Sequence, residues 1–266
     1  MIAILGVGVM GESLLNGLLH AGWDPSSIRV ADSRQSRREE ITAKYGVWTG
    51  SDSEAVEGAD TVVIVVKPQD ISELLADVSP IMTPGALVIS LAAGVTTETI
   101  EKHLVIDHPV VRVMPNTAAL VGEGMAAVCA GRDASEEHLE RAEKILSAVG
   151  KVQVVPERYM DAVTAISGSG PAYVMFVAEA MIDAGVMLGL PRAIATELVK
   201  QTVYGSAKLL VESGEHPTVL KENVTSPGGT TAAALRAFED HRVKAAFIDA
   251  MEAACKRSEE LGRDQA

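Results

Sequence analysis

Short continuous runs of apolar residues alternate with stretches of helical spacing along residues 1–155. Continuous apolar runs are typical of strands that are buried on both faces of a sheet. They predict strands over residues 1–5, 28–31, 61–66, 86–90, 110–113, 125–130 and 152–155. The stretches between them predict helices over residues 10–21, 36–45, 70–78, 97–103 and 135–149. This alternation favours an α/β domain in which helices cover both faces of a parallel sheet.

The pattern changes at Pro156, after which no apolar run has the character of a strand. Helical spacing predicts helices over residues 171–189, 191–210, 217–223, 231–239 and 242–261. We therefore predict two domains, an α/β domain over residues 1–155 and an all-α domain over residues 156–266.

Three features predict a soluble, cytoplasmic protein. The chain begins directly with an apolar strand, without the basic segment and cleavage site of a targeting sequence. The two cysteines, Cys129 and Cys255, form no disulfide framework, and free thiols are the default in a reducing cytosol. The long apolar run over residues 171–190 contains Glu179 and Asp183. Two carboxylates in hydrocarbon are costly, so we interpret this run as a buried helix rather than a membrane span.

The net charge of the protein limits the classes of ligand that it is expected to bind. Apolar residues make up 47% of the chain and charged residues 22%, as in an ordinary globular protein. The net charge of −13 repels phosphate backbones and anionic lipids, which argues against nucleic-acid and membrane partners. An anionic cofactor would therefore need a locally positive site.

A glycine loop, Gly6-Val7-Gly8-Val9-Met10-Gly11, lies between the first strand and the first helix. Gly6 permits a tight turn, Gly8 lets a pyrophosphate approach the backbone, and Gly11 allows close contact between helix and strand. The helix start offers unpaired N–H groups and a partial positive charge to the phosphates. In this context the motif indicates a Rossmann-type dinucleotide-binding domain rather than a plain glycine turn.

The end of the second strand carries conflicting signals about the coenzyme. Asp32 follows Gly11 by about 20 residues, where an acidic group usually binds the ribose 2′-hydroxyl of NAD. Next to Asp32 and Ser33, Arg34 and Arg37 are candidates for clamping the 2′-phosphate of NADP. The arginines favour NADP(H), with NAD(H) possible. In the alternative interpretation, Arg37 and its neighbour Arg38 only solvate a helix face.

Two further strand ends are candidates for the same site, because ligands of open α/β sheets bind beyond the carboxyl ends of the strands. Val65-Val66-Lys67-Pro68 lies at the end of the third predicted strand, and Ala92-Ala93 follows the fourth. The small residues would let a flat ring come close. For each of these two segments, the alternative is a purely structural role.

The second domain contains the loop Ser226-Pro227-Gly228-Gly229-Thr230-Thr231, which leads into a helix rich in alanine. Helix-start N–H groups and hydroxyls together suit a carboxylate, and a threonine hydroxyl can donate to a neutral nitrogen. The alternative is an ordinary capped helix, since serine and threonine are favoured caps.

Several segments together resemble the pyrroline-5-carboxylate reductase family. The first is the glycine–threonine loop within residues 220–239. The others are Val66-Lys67-Pro68-Gln69, Ala92-Ala93-Gly94-Val95, Arg112-Val113-Met114-Pro115-Asn116-Thr117 and Ile166-Ser167-Gly168-Ser169-Gly170-Pro171-Ala172-Tyr173. They occur in the family's order and extend from the glycine loop to the last long helix, which is far more specific than a shared dinucleotide motif.

The resemblance implies a Rossmann domain followed by a helical dimerisation domain, and reduction of 1-pyrroline-5-carboxylate to L-proline. It implies a homodimer, with larger assemblies of dimers common. From the positions that match the family's motif, Thr231 would act on the substrate, and Ser226, Gly229 and Thr230 would contribute to the substrate pocket. Asn223 would reach the cofactor, and Val66, Lys67 and Ala93 would flank its nicotinamide. Asp52 stands where some members carry an asparagine near the ribose.

Two rivals to this interpretation are a hydroxyacid-type dehydrogenase and a non-enzymatic NADP-sensing regulator. The first usually needs a lysine or histidine base, and no lysine of the helical domain has such a context. The second would not need the glycine–threonine loop. We predict that no metal takes part, since no spacing resembles a metal site.

Overall fold

The computed structural model describes residues 1–263, which divide into two compact units. The first unit comprises Met1–Ser169 and the C-terminal segment that starts at Ala253; the second comprises Gly170–Glu252. Every strand of the described chain lies in the first unit, and the second consists of helices and loops. The predicted fold class, an α/β domain followed by helices, is confirmed.

The compact units divide the chain at positions other than the predicted boundary between residues 155 and 156. The last strand ends at Val154, but the first unit continues to Ser169 and takes in the end of the last helix. A hydrogen bond contributes to this, since the Ser258 hydroxyl donates to Asp161 over 2.6 Å. The domain limits drawn from the sequence stay a prediction.

The first unit contains one eight-stranded sheet. Its strands are β1 (Ile2–Leu5), β2 (Ile28–Ala31), β3 (Trp48–Gly50), β4 (Thr61–Ile64), β5 (Leu87–Ser90), β6 (Val110–Met114), β7 (Gly124–Ala130) and β8 (Gly150–Val154). They lie in the order β3-β2-β1-β4-β5-β6-β7-β8, and only β6 and β7 run antiparallel to each other. After β1 the chain adds β2 and β3 on one side of it and then crosses to β4 on the other side. Ligands of such sheets bind beyond the carboxyl end of the strand at which the order reverses, which here is β1.

Helices cover both faces of this sheet. They are α1 (Val9–His20), α2 (Gln35–Tyr45), α3 (Asp52–Val56), α4 (Ile71–Val78), α5 (Thr97–His103), α6 (Glu136–Leu146) and α7 (Met160–Val163). Successive residues of a strand face opposite sides. Accordingly, Ile4 packs with Leu15 of α1 in one apolar cluster, and Leu5 packs with Leu75 of α4 in another. Burial of both sheet faces explains why the strands read as continuous apolar runs.

The second unit is built from helices α8 (Gly170–Met187), α9 (Arg192–Ser213), α10 (Pro217–Asn223) and α11 (Thr230–Asp240), and from the start of α12 (Val243–Arg263). Helices α8 and α9 pack against each other. A Cβ added at Gly185 would lie 3.0 Å from the Ala195 Cβ, so small side chains bring these helices close together.

The prediction that residues 171–190 form a buried helix is wrong for the single chain. No residue of α8 is buried, and Phe176 is 70% exposed. By length and composition alone, the helical run Glu157–Met187 would be able to cross a membrane, yet such a run can equally belong to a soluble protein. An apolar run in the sequence cannot show which molecule covers its side chains.

Other differences from the sequence prediction are local. The short elements β3 and α3 were not predicted, and β4 ends two residues earlier than expected, at Ile64. Residues 164–168 form a π-helical turn after α7. His108, which lies outside every predicted helix and strand, is 1% exposed, and its Nδ1 lies 3.0 Å from the Ala86 carbonyl oxygen.

Candidate functional site

The glycine loop adopts the geometry that its sequence predicts. Gly6 has a φ of +94°, which residues with a side chain rarely adopt. A Cβ at Gly6 would also lie 2.7 Å from the Val65 carbonyl oxygen, and one at Gly11 would collide with the Gly6 carbonyl. Only glycine therefore fits at these two positions, where the turn folds onto the start of α1.

Gly8 differs from its two neighbours in the motif because the space beside it is open. A Cβ added there would meet no heavy atom within 4 Å, and its φ of −64° suits any residue. Gly8 is the N-cap of α1 and provides no side-chain cap. The first helical hydrogen bond runs from the Glu12 N–H to the Gly8 carbonyl over 3.0 Å. The preceding N–H groups of Val9, Met10 and Gly11 therefore remain available to an anion.

An open cleft of about 740 Å³ lies beside this loop. It brings together eight of the residues predicted to bind the cofactor, namely Gly6, Gly8, Asp32, Ser33, Arg34, Asp52, Val66 and Lys67. Five further residues line it, Val65, Asp70, Glu73, Leu74 and Asp77, and among them only Val65 belongs to a segment that the sequence indicated. Asp70 precedes α4, and Glu73, Leu74 and Asp77 lie within it, so the position of this helix directly after Lys67 in the chain was the available signal.

The Asp32 carboxylate is buried and already bound within the chain. It accepts a hydrogen bond of 3.2 Å from the Val7 N–H and two from the Arg34 guanidinium, at 2.9 and 3.1 Å. Burial works to raise the pKa of Asp32, but the hydrogen bonds from Arg34 and Val7 outweigh it and hold the pKa below its usual range. Arg34 is 62% exposed at the cleft, so it can still meet a ligand.

Arg37 does not line this cleft, in contrast to its predicted partner Arg34. Its side chain is only 14% exposed. Its Nε donates to the Val7 carbonyl over 2.8 Å, and its two terminal nitrogens pair with Glu12 and Glu40. All three nitrogens of the guanidinium thus have partners within the protein, which leaves the predicted 2′-phosphate contact of Arg37 without geometric support.

Glu12 is the centre of this charged group. It accepts hydrogen bonds from Lys44 at 2.8 Å and Tyr45 at 2.9 Å in addition to its pair with Arg37. The hydrogen bond from Lys44 is the largest influence; with Arg37 and Tyr45 it overcomes the effect of burial and lowers the pKa of Glu12 to about 2. Glu12 is therefore ionised at neutral pH.

The remaining predicted cofactor residues lie at neighbouring strand ends. Pro68 opens the turn before α4, and Ala92 and Ala93 follow β5. Ala92 is buried, whereas Ala93 is exposed. Burial, followed by the nearby charge of Asp32, raises the pKa of Asp52 in the cleft.

In the second unit, the glycine–threonine loop joins α10 to α11. Gly228 has a φ of +68°, and the Gly229 N–H donates to the Ser226 carbonyl over 3.1 Å, closing a turn. Gly229 is the N-cap of α11 and supplies no side-chain cap. Thr230 and Thr231 are the first two helical residues, and Asn223 ends α10 before the loop.

This arrangement argues against a capping role for Thr231. The cap position belongs to Gly229, and within residues 1–263 the Thr231 hydroxyl has no hydrogen-bond partner. The first helical bond runs from the Ala233 N–H to the Gly229 carbonyl, so the N–H groups before it are unpaired. A carboxylate would find donors there, and a hydroxyl lies beside them.

No group of three or more histidine, cysteine, aspartate or glutamate residues suited to a metal ion occurs in the described part of the chain. Both cysteines are free thiols, and burial raises the pKa of Cys129 to about 12. Cys129 is consequently a protonated, unreactive thiol at neutral pH.

Two family models match separate parts of the chain, and relatives match nearly its whole length. Residues 157–261 match the family described as pyrroline-5-carboxylate reductase dimerisation, and residues 1–94 match NADP oxidoreductase, coenzyme F420-dependent. The pyrroline-5-carboxylate reductase of Corynebacterium melassecola is 43% identical, and the alignment covers 98% of each chain.

Solved structures agree with this match. The pyrroline-5-carboxylate reductase of Coxiella burnetii is 37% identical with a TM-score of 0.94, covering 98% of this chain and 97% of that one. The Plasmodium falciparum pyrroline carboxylate reductase with NADP bound is 32% identical, with a TM-score of 0.87 and the same coverage. The resemblance inferred from the sequence motifs is confirmed, and the chain belongs to the pyrroline-5-carboxylate reductase family.

Proposed function

We propose that this protein reduces the cyclic imine 1-pyrroline-5-carboxylate to L-proline, the last step of proline biosynthesis, with a nicotinamide coenzyme. The observation that carries this proposal is the full-length similarity to pyrroline-5-carboxylate reductases, at 43% identity over 98% of both chains. The uncapped start of α1, the open cleft beside Gly8 and the glycine–threonine loop are the features that this reaction needs.

The residues of the first unit would hold the coenzyme. The free N–H groups at the start of α1 bind the pyrophosphate, and the absence of a side chain at Gly8 leaves room for it. Lys67 and Val66 line the cleft beyond β4. When bound, the reduced nicotinamide supplies the hydride that the imine carbon accepts.

The residues of the glycine–threonine loop would hold the substrate. The unpaired N–H groups at the start of α11 bind the substrate carboxylate, and the Thr231 hydroxyl forms a hydrogen bond with the ring nitrogen. The nitrogen gains a proton as the adjacent carbon gains the hydride, so an imine becomes a secondary amine. Alignment and charge stabilisation suffice for this step, which needs no base of the hydroxyacid-dehydrogenase type.

A turnover assay tests the reaction directly. The purified protein should oxidise NADPH or NADH only when 1-pyrroline-5-carboxylate is present, and proline should form in equal amount. A 2-hydroxy acid offered with the oxidised coenzyme should give no turnover. Coenzyme binding without turnover of the imine would instead favour a regulator that senses the coenzyme.

For the coenzyme, we propose that NADPH is preferred, with NADH accepted, and that Arg34 makes the choice. Arg34 is exposed at the cleft, while the internal hydrogen bonds of Asp32 occupy the carboxylate that would otherwise select NADH. The relative with NADP bound is consistent with this preference. Arg37 is omitted from the proposal because its nitrogens are paired within the protein.

Arg34→Ala should weaken NADPH binding by about tenfold or more, because a charge-assisted hydrogen bond contributes roughly 1.5–3 kcal/mol. NADH binding should stay unchanged or improve, since the Asp32 carboxylate is then free to accept a ribose hydroxyl. Dissociation constants for both coenzymes decide the matter. An equal loss for both would remove Arg34 from the 2′-phosphate.

For assembly, we propose a homodimer through the helical part of the chain after residue 156, with larger assemblies of dimers possible, in the cytoplasm. The exposed apolar side chains of α8 and α9 include Met175, Phe176, Met187, Leu198 and Tyr204. A second copy of the chain would cover them, and the family match over residues 157–261 is described as dimerisation. In the dimer, protein rather than lipid would then cover these apolar side chains.

Light scattering should find at least a dimer at assay concentrations, without detergent. Phe176→Asp should shift the protein towards the monomer, because a carboxylate in an apolar interface loses its hydration. Ile81→Asp is the matched control, since Ile81 is a 43% exposed apolar residue of the first unit. A fully active monomer, or recovery of the protein in a membrane fraction, would contradict the proposal.

A further inference from the structure

Val7, between the first two glycines of the motif, has both of its backbone polar groups held from outside the loop. Its N–H donates to Asp32 Oδ2 over 3.2 Å, and its carbonyl accepts from Arg37 Nε over 2.8 Å. The Val7 side chain is fully buried. The loop is thus fixed at its centre by two side chains that come from the end of β2 and from α2.

The carbonyl of Val7 and the N–H of Gly8 belong to one peptide group. In a trans peptide these two bonds point in opposite directions. Arg37, by holding the carbonyl, therefore fixes the direction in which the Gly8 N–H points. That N–H has no hydrogen-bond partner among residues 1–263, and Gly8 lines the cleft.

Arg37 is itself held in place by two carboxylates. One terminal nitrogen pairs with Glu12 and the other with Glu40 at 2.7 Å. Glu12 lies in the first turn of α1 and remains ionised because its pKa is lowered to about 2. The Arg37 side chain thereby links the glycine loop, α1 and α2.

We propose that Arg37 is a positioning residue for the coenzyme: it orients the Val7–Gly8 peptide so that the loop is ready to bind the pyrophosphate. This inference rests on the proposed function only in that a nicotinamide coenzyme binds at the loop. The pyrophosphate is common to NADPH and NADH, so Arg37 contributes equally to both. Its role thereby differs from that of Arg34, which distinguishes NADPH from NADH.

The test replaces Arg37 with methionine, which keeps an unbranched apolar side chain and removes the charge and the hydrogen-bond donors. Dissociation constants for NADPH and NADH are measured on the full chain, without imine. We expect both to rise by about tenfold or more, in keeping with the loss of a charge-assisted hydrogen bond. The ratio between them should stay within about twofold. In turnover, the KM for coenzyme should rise while kcat at saturating coenzyme and the KM for imine are kept.

Arg132→Met is the matched control. Arg132 also pairs with two carboxylates, Asp107 and Asp133, each at 2.8 Å, but its side chain makes no hydrogen bond to the glycine loop. Its replacement should leave both dissociation constants unchanged. Arg37→Lys is the second variant in case Arg37→Met folds poorly: it keeps the charge but cannot reach three partners at once, so it should weaken both coenzymes to a smaller extent.

A selective loss of NADPH in the Arg37 variants would overturn the inference, because Arg37 would then contact the 2′-phosphate. Unchanged binding of both coenzymes would overturn it as well, and so would a fall in kcat alone. Failure of the proposed function looks different. A wild-type protein that binds both coenzymes but does not reduce the imine rejects the reaction and still permits this test of Arg37.

Discussion

Gly8→Val should abolish coenzyme binding while leaving the melting temperature of the coenzyme-free protein nearly unchanged. A Cβ added at Gly8 would meet no heavy atom within 4 Å beyond its chain neighbours, so the protein has room for a side chain there. The φ of −64° at this position is one that valine adopts readily. The branched side chain would stand in the cleft at the start of α1, where a pyrophosphate has to approach the backbone.

Gly11→Val provides the matched comparison within the same loop. Its side chain would collide with the Gly6 carbonyl, so this variant should lose stability as well as binding. Thermal unfolding and coenzyme titration on both variants separate the two effects. Undiminished NADPH affinity in a folded Gly8→Val protein would show that the coenzyme binds elsewhere.

The alternating part of the fold was predictable from sequence because burial on both faces leaves a strong signal. The strand Ile28–Ala31 and the helix Thr97–His103 have the predicted bounds. The elements Trp48–Gly50 and Asp52–Val56 were missed, since three and five residues are too few to show a period. The antiparallel direction of β7 was not predicted either, because the side-chain pattern of a strand is the same in either direction.

Within the site, the sequence indicated the groups that depend on local chain geometry and missed those that depend on distant partners. The roles of Gly6 and Gly11 follow from the motif, since each needs the space that only a missing Cβ leaves. Arg37 carried the same local signal as Arg34, three residues before it. Only the fold shows that Glu12, 25 residues earlier, pairs with Arg37 and holds it within the protein.

The exposure of α8 in the single chain was not predictable from sequence for a similar reason. Its apolar side chains predict burial, which is a statement about free energy and not about which molecule provides the cover. A single chain leaves that surface in water, and residue composition does not distinguish a neighbouring helix of the same chain from one of a second copy.

Thr231→Ala should lower kcat/KM for 1-pyrroline-5-carboxylate by about tenfold or more, corresponding to a lost hydrogen bond of roughly 1.4 kcal/mol or above. NADPH affinity should barely change, because the proposed coenzyme contacts lie mainly in the cleft of the first unit. Thr231→Ser keeps the hydroxyl and should retain most of the activity.

The competing explanation is that Thr231 only stabilises the start of α11, and Thr218 supplies the control for it. Thr218 is the second residue of α10, as Thr231 is of α11, and it is exposed. Thr218→Ala therefore reports what the loss of a threonine at this helical position does to stability alone. We expect similar small changes of melting temperature in both alanine variants, and a loss of kcat/KM only in Thr231→Ala. Normal turnover by a folded Thr231→Ala protein would exclude Thr231 as the partner of the ring nitrogen.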